Sequence, residues 1–393
     1  MAKYKLGDIC EIVSGSTPKT SIDEYWDGDV KWITPVELND DSYIISDSAR
    51  KITELAVKKT GLTSFPEGTV ILSSRAPIGK VAIAGCEMYC NQGFKNLICS
   101  DKIINKYLYW FLKRNTHFLN SLGRGATFKE ISKAIVSEIE INVPEIEQQK
   151  KVVEILEKVS GIIARRKKEL SALDDLIKAR FVEMFGDAVS NPMGWTVKKL
   201  KDLTVQINSG NTPKGGSENY VNEGIIFFRS QNVWKDRLEM DDIAYIDAET
   251  HASMKRSSLK HGDILMTKTG RINTENSSLG RAALYMGEDD KANVNGHVYF
   301  IRLKPEVNNK FILRILVSDE YRDLIRSVCV GGIDKRQLNK EHIEEFPIIC
   351  PPSDMIDKYV AFAKQVNKSK VEVQKALDET QKLFDSLMQQ YFG

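Results

Sequence analysis

Between residues 144 and 186 the apolar side chains recur at alternating steps of three and four. Val152, Leu156, Val159, Ile163, Leu170, Leu173, Ile177 and Met184 share one seam, which only Arg166 and Arg180 interrupt. A spacing averaging about 3.5 residues marks a helix that packs along its length against another helix. At about 1.5 Å per residue it spans roughly 60 Å, too long for a compact core, so it reads as a strut or spacer. Its apolar stripe needs a partner, and the chain supplies one at residues 351–393. There the pattern returns 207 residues on, as Tyr359, Ala363, Val366, Lys370, Val373, Leu377, Thr380, Phe384, Leu387 and Tyr391. Val373 and Leu387 stand where the first helix has Arg166 and Arg180, which points to a heterotypic pair whose register is set by a few polar intrusions.

The repetition extends outside the helices. Leu6-Gly7-Asp8-Ile9 and the following Ser-Gly-Ser-Thr-Pro-Lys at 14–19 return as Leu200-Lys201-Asp202-Leu203 and Ser-Gly-Asn-Thr-Pro-Lys at 209–214. Asn91-Gln92-Gly93-Phe94 is answered by Asn295-Gly296-His297-Val298, and Gly125, Ile131, Val136 and Ile141 by Gly332, Leu338, Ile343 and Ile348. Short β-branched or alternating runs at 30–34, 69–72, 80–84 and 96–99, and again at 225–229, 263–267, 281–284 and 298–303, read as strands. Helical patterns are fewer, at 106–119 and 310–326, so each globular part is α+β. The expected domains are therefore 1–144 (globular), 145–186 (long helix), 187–350 (globular) and 351–393 (long helix). A joint at 187–194, with Asn191-Pro192 and Gly194, breaks the first helix and lets the chain reverse.

Bulk composition narrows the class without naming it. The 393 residues, 42% hydrophobic and 28% charged, describe an ordinary soluble protein of two or more domains. No apolar run approaches a membrane span and the first residues lack a signal peptide's hydrophobic region, so a cytoplasmic protein is expected. Six cysteines show no paired metal or disulfide spacing; Cys86 and Cys90 are close, but nothing completes a site, so reduced thiols and no metal are expected. The net charge of +2 makes no case for nucleic acid, and any such surface must come from local clusters of Lys and Arg.

Motifs of catalysis are missing. There is no phosphate-cradling Gly-x-x-x-x-Gly-Lys loop, no His-Glu-x-x-His helix, no Gly-x-Ser-x-Gly elbow and no Asn/Asp-Pro-Pro-Tyr/Phe motif of amino-methyltransferases. No cofactor is called for. What each globular part offers is a Gly/Ser/Thr loop followed by a basic residue, with further basic and amide groups between strands. In the first these are Thr17, Lys19, Arg75, Lys80, Gln92, Arg124 and Lys129. In the second they are Thr212, Lys214, Arg229, Gln231, Asn232, Lys268, Arg271, Arg281, Lys335 and Arg336. Arg can bridge the two acceptors of guanine, and Asn or Gln the donor and acceptor of adenine, while either cation can hold a phosphate. Taken singly, each reads more readily as a solvated surface residue, and the Ser-Gly-x-Thr-Pro loop reads equally well as a plain turn.

In combination, the chain resembles the specificity subunit of a Type I restriction-modification system, over essentially its whole length. The resemblance rests on the two Ser-Gly-x-Thr-Pro-Lys openings and on Ile141-Asn142-Val143-Pro144 with Glu147-Gln148-Gln149 leading into the long helix. Phe185-Gly186-Asp187 with Asn191-Pro192 and Gly194-Trp195 adds to it at the start of the second half. One departure is that the second helix opens Pro-Pro-Ser-Asp-Met-Ile, at 351–356, without the Glu-Gln-Gln run. The resemblance implies two target recognition domains reading the halves of a bipartite sequence in double-stranded DNA, separated by antiparallel coiled-coil helices in a pseudo-two-fold arrangement. It also implies a non-catalytic chain whose helices bind two modification subunits carrying adenine methyltransferase chemistry, joined by restriction subunits for cleavage. A strut of roughly 60 Å agrees with contacts a helical turn of about 34 Å or more apart. The reading from another class is a non-catalytic scaffold whose globular ends bind peptides or polysaccharide; a solitary DNA enzyme is disfavoured by the missing motifs.

Overall fold

The computed structural model describes residues 2–124, 129–274 and 276–393; Gly125 of the repeat lies outside them. Packing divides the chain into two units, Met1–Leu170 with Glu372–Gly393, and Ser171–Val371. The seam pattern does form two long helices, Ile146–Phe185 and Ser353–Phe392, of 40 residues each. Each unit holds one globular α+β part and one end of each long helix.

In the first unit a mixed five-stranded sheet runs in the order Cys10–Ser14, Lys95–Cys99, Val70–Leu72, Val81–Ala84, Ile44–Ile45. Beside it lies a three-stranded sheet with Trp26–Ile33 between Lys51–Ile52 and Tyr89–Cys90. The second unit repeats the plan. Thr204–Ser209, Val298–Leu303, Ile264–Thr267 and Ala282–Leu284 form one sheet, and Ala244–Ile246, Ile225–Phe228 and Ala292–Val294 another. In both units the first strand of the globular part pairs antiparallel with its last, Ala2–Lys5 with Glu140–Val143 and Val197–Lys199 with Pro347–Ile349, so the chain enters and leaves side by side. Val70–Leu72 and Ile264–Thr267 are buried throughout, as continuous apolar runs in central strands should be.

One expectation changes. The helical patterns at 106–119 and 310–326 are each two helices, Asn105–Arg114 with Thr116–Ser121 and Asn309–Leu316 with Asp319–Val328. Local side chains cause the breaks. Asn115 turns its amide back to the Phe111 carbonyl at 2.9 Å, and the Ser318 hydroxyl accepts from the Tyr321 amide as a new N-cap.

The seam is antiparallel within each unit. In the first, Val159 and Ile163 pack with Leu377, Phe384 and Leu387, while Val152, Val153, Leu156 and Met388 join the globular core. The Arg166 intrusion finds partners across the seam, its guanidinium donating to the Ala376 carbonyl and the Thr380 hydroxyl. In the second unit Phe181, Phe185 and Tyr359 enter the core, Lys370 pairs with Asp174, and Arg180 lies over the Phe362 ring while bonding Glu183 on its own helix at 2.7 Å. Gly186, at φ +75°, ends the first helix by donating to the Val182 carbonyl at 2.8 Å, a left-handed position that suits glycine. Asn191 then exchanges two hydrogen bonds with Trp195, whose indole N–H reaches the Phe185 carbonyl at 3.0 Å. No helix among the described residues is long and apolar enough to cross a membrane.

Phe185 is fully buried, its ring 5.1 Å from Phe311 and 5.7 Å from Tyr359. Phe185→Ala is expected to cost about 3–5 kcal/mol in urea denaturation, the usual penalty for emptying an aromatic core site. A loss below about 1 kcal/mol would mean that this aromatic cluster is loosely packed.

Candidate functional site

The two Ser-Gly-x-Thr-Pro-Lys loops follow edge strands and cross directly over neighbouring backbone. A Cβ on Gly15 would sit 2.1 Å from the Cys90 carbonyl oxygen, and one on Gly210 1.8 Å from that of Val294, so only glycine allows the crossing. Pro18 and Pro213 are buried and anchor the loops, which leaves Thr17, Lys19, Thr212 and Lys214 exposed. Thr17 donates to the Gln92 side chain, which joins those two candidates. Thr212 and Lys214 border a polar hollow of about 570 Å³ with Asn211, Asn219, Thr250 and Ser253.

Several other candidates turn out to be engaged within the fold. Lys80 donates to the Leu38 carbonyl. Arg281 binds the carbonyls of Ser277 and Asn276 and stacks 3.9 Å over Trp234. Asn232 is 1% exposed; its amide nitrogen donates to the Glu239 and Asp242 carbonyls while its oxygen accepts from the Arg229 amide, which leaves nothing for a base. Arg229 and Gln231 converge on Asp242, at 3.0 Å and 2.7 Å; their hydrogen bonds, Gln231's first, hold that carboxyl below its ordinary range.

Two basic clusters remain. In the first unit Arg75 and Arg124 both bridge through backbone to Glu130, with Lys129 adjacent. Glu130 accepts from Arg75 at 2.9 Å and from the buried Lys95 at 3.2 Å. In the second unit the loop from Thr267 to Arg281 is seven residues longer than its counterpart from Ser73 to Lys80. The added chain makes a strand, Thr269–Arg271, that pairs with Lys335–Gln337, itself paired with Val330–Gly331. This ribbon gathers Arg271, Lys335 and Arg336, with Lys268 at its base; Arg271 contacts Asp334 at 3.3 Å and Lys268 lies 5.8 Å from the Tyr299 ring centre. At its tip stands Ile333, 89% exposed. Sequence reasoning missed Ile333 and Lys95. The signal for Ile333 was an apolar residue after Gly331-Gly332 inside a basic loop; Lys95 gave none, since its partner is 35 residues away. Among the described residues no group of three or more His, Cys, Asp or Glu gathers closely enough to hold a metal.

A family model described as the Type I restriction modification DNA specificity domain matches residues 1–173 and 192–383. The chain is 31% identical over 409 residues to the MjaIX specificity subunit of a type I restriction enzyme from Methanocaldococcus jannaschii, covering 98% of this chain and 90% of that one. Among solved structures, the S subunit of a Type-I restriction-modification system from M. genitalium superposes with a TM-score of 0.57 at 14% identity, over 100% of this chain and 96% of that one. A chain from a type I R-M system studied for its complex assembly and conformational transition gives 0.61 at 16% identity, over 100% and 97%. At such identities the two structures speak for the fold.

Burial alone would raise the Glu130 carboxyl, but hydrogen bonds from Arg75 and Lys95 outweigh it and hold the group below its ordinary value of 4.5. A lowered folded value contributes stability that is present above the unfolded value and lost as pH falls through the folded one. Glu130→Gln is therefore expected to lower stability by about 1–3 kcal/mol at pH 7, where Lys95 loses its counter-ion. The difference from wild type should shrink as pH falls below 4.5 and through the lowered folded value, as measured by denaturation at each pH. A gap that stays constant with pH would remove the ion triad as its cause.

Proposed function

This chain belongs to the Type I restriction modification DNA specificity family, and from that membership we propose how it works. Each globular part reads one half of a bipartite site in duplex DNA, and the helix pair fixes the unread gap between the halves. The helices dock two modification subunits that carry adenine methyltransferase chemistry, and restriction subunits join that core in the cytoplasm. The chain itself supplies recognition and no catalysis. The observation that carries this reading is the duplication: one plan, built twice in a single chain and matched by the family model in two stretches.

Duplication also sorts the candidates. A residue shared by both copies cannot distinguish two different half-sites. The Thr17/Thr212 and Lys19/Lys214 pairs, in the same loop of each copy, therefore serve as phosphate contacts that set position. Readers must differ between copies: among the described residues the first unit has single bridges from Arg75 and Arg124 to Glu130 where the second builds the basic ribbon. The hairpin of Val330–Gly331 and Lys335–Gln337 is a two-stranded element of the kind that fits the major groove, where Lys335 and Arg336, with Arg271 from the third strand, reach phosphates or guanine edges and the exposed aliphatic tip can meet the thymine methyl group.

The first test is a genome-wide map of N6-methyladenine in cells with and without this gene, the modification partner kept intact. Loss of methylation at one gapped, bipartite motif is the expected result; an unchanged map, or loss at an ungapped motif, contradicts the reading.

The ribbon is tested on that motif with the assembled complex. Deoxyuridine in place of one thymine of the second half-site should weaken binding about four-fold, the value of ~0.8 kcal/mol for one buried methyl. Ile333→Ala should weaken binding to the thymine duplex equally and abolish the difference between thymine and deoxyuridine. A variant that keeps the full deoxyuridine effect places Ile333 away from the bases.

A further inference from the structure

The helices Asn105–Arg114 and Asn309–Leu316 hold the same place in the two units, but what they bury differs. In the first unit, rings fill the space between this helix and the long helices. Tyr43 lies 4.9 Å from Tyr109, Tyr109 lies 5.0 Å from Trp110, and Trp110 lies 5.6 Å from Phe384. Glu157 closes the cluster, accepting from the Tyr43 hydroxyl and from Lys106 at 2.7 Å. In the second unit Leu313 replaces Tyr109, Arg314 replaces Trp110, Ile177 replaces Phe384 and Lys364 replaces Glu157. The rings are lost and the charge is reversed, and a cavity of about 450 Å³ opens at the place that rings occupy in the first unit.

The walls of this cavity are not satisfied. The Tyr359 hydroxyl belongs to a side chain 2% exposed and has no hydrogen-bond partner, and neither has the buried Nε of Arg314. Buried polar groups left unpaired cost about 1–3 kcal/mol each, and two of them on residues that line one cavity point to an occupant. Lys310 and Lys364 line the same space without a carboxylate partner among the described residues, beside Lys178, Lys235 and Asp174, which pair with Asp175, Asp319 and Lys370. Asp236 lines it too; burial pushes its carboxyl above the ordinary range, with Arg314 and Lys370 opposing. The lysines and Arg314 around the cavity outnumber its two carboxylates, Asp174 and Asp236. Leu284, Leu313 and Ile177 supply an apolar side.

We propose that this cavity is a binding site for a small phosphate-bearing anion, with room for a nucleoside monophosphate. The Arg314 and lysine charges and the Tyr359 hydroxyl take the phosphate, and the aliphatic wall takes the body of the ligand. Cavities of a few hundred Å³ with convergent polar groups hold ligands of this size. The cavity takes none of its lining from the candidate DNA contacts, and the proposal does not depend on the reading of DNA.

The test uses the purified full-length chain, with inorganic phosphate and AMP titrated by calorimetry at fixed ionic strength and sodium chloride as the control. Three substitutions accompany wild type. Arg314→Trp restores the ring of the first unit, Lys364→Glu restores its charge, and Tyr359→Phe removes only the hydroxyl. Wild type is expected to bind AMP with a Kd below about 1 mM, near −4 kcal/mol. Lys364→Glu should weaken it at least tenfold, Tyr359→Phe several-fold, and Arg314→Trp should abolish it without lowering the melting temperature of the free chain. Equal affinity for both probes would identify the phosphate group alone as the ligand, and tighter AMP binding a nucleotide; both support the site. No saturable binding of either probe to wild type, or binding unchanged in all three variants, overturns it.

Discussion

A helix of 40 residues with one apolar stripe cannot bury that stripe alone, and the rest of each unit depends on how the partner helix resolves this. The seam does more than pair helices. Its ends are core material: Val152, Leu156 and Met388 sit among the buried residues of the first globular core, and Phe181, Phe185 and Tyr359 among those of the second. Neither globular part has a complete core without segments from both long helices. Changes in the helices therefore act on the stability of the globular parts, and the seam cannot be treated as a passive rod.

The attachment of helix to globular part is chemically different in the two units. In the first, the Gln149 side chain is fully buried at the start of the helix. Its amide donates to the Lys102 and Pro144 carbonyls at 2.9 and 2.8 Å and accepts from the Ile104 amide at 2.8 Å. Three hydrogen bonds satisfy a buried amide and lock the helix entry. The corresponding position of the second helix is Ile356, which packs against the second core instead. The Glu-Gln-Gln run of the first helix thus has a structural reason, and its absence from the second is compensated by apolar contact. The same logic, one scaffold with different filling, separates the aromatic cluster of the first unit from the cationic cavity of the second.

What was legible in the sequence follows from the range of the interactions. The long helices showed themselves because a 3.5-residue period repeats over forty positions, and the central strands because they are buried on both faces. The breaks at Asn115 and Ser318 depend on single side-chain caps inside a continuing apolar pattern, which periodicity overlooks. The chemical character of the candidate site was legible, but its partners were not. Arg75 meets Glu130 across 55 residues and Arg281 meets Trp234 across a loop, so a cation that looked available proves to be engaged. Asn232 looked like an adenine reader and is a buried cap. Conversely, the apolar Ile333 inside a basic Gly-Gly loop was a signal in the sequence, but its exposure is set only by the folded ribbon.

A net charge of +2 also hid a partition among the cations. Arg229, Arg281 and Lys80 make hydrogen bonds inside the fold, whereas the Lys19, Lys129, Lys214 and Lys335 ammonium groups have no partner among the described residues. Free lysines are mobile point charges with three rotatable donors, suited to a phosphate whose place is approximate. Arg271 and Arg336 are held instead on the strands of a ribbon, their guanidinium planes restrained by Asp334 and by the Gly332 carbonyl. Restraint of a planar fork is what bidentate reading of a base edge requires. On the proposed reading, affinity is thus spread over unrestrained lysines in both units. Discrimination in the second half-site is concentrated where a seven-residue insertion has given arginines a strand to stand on.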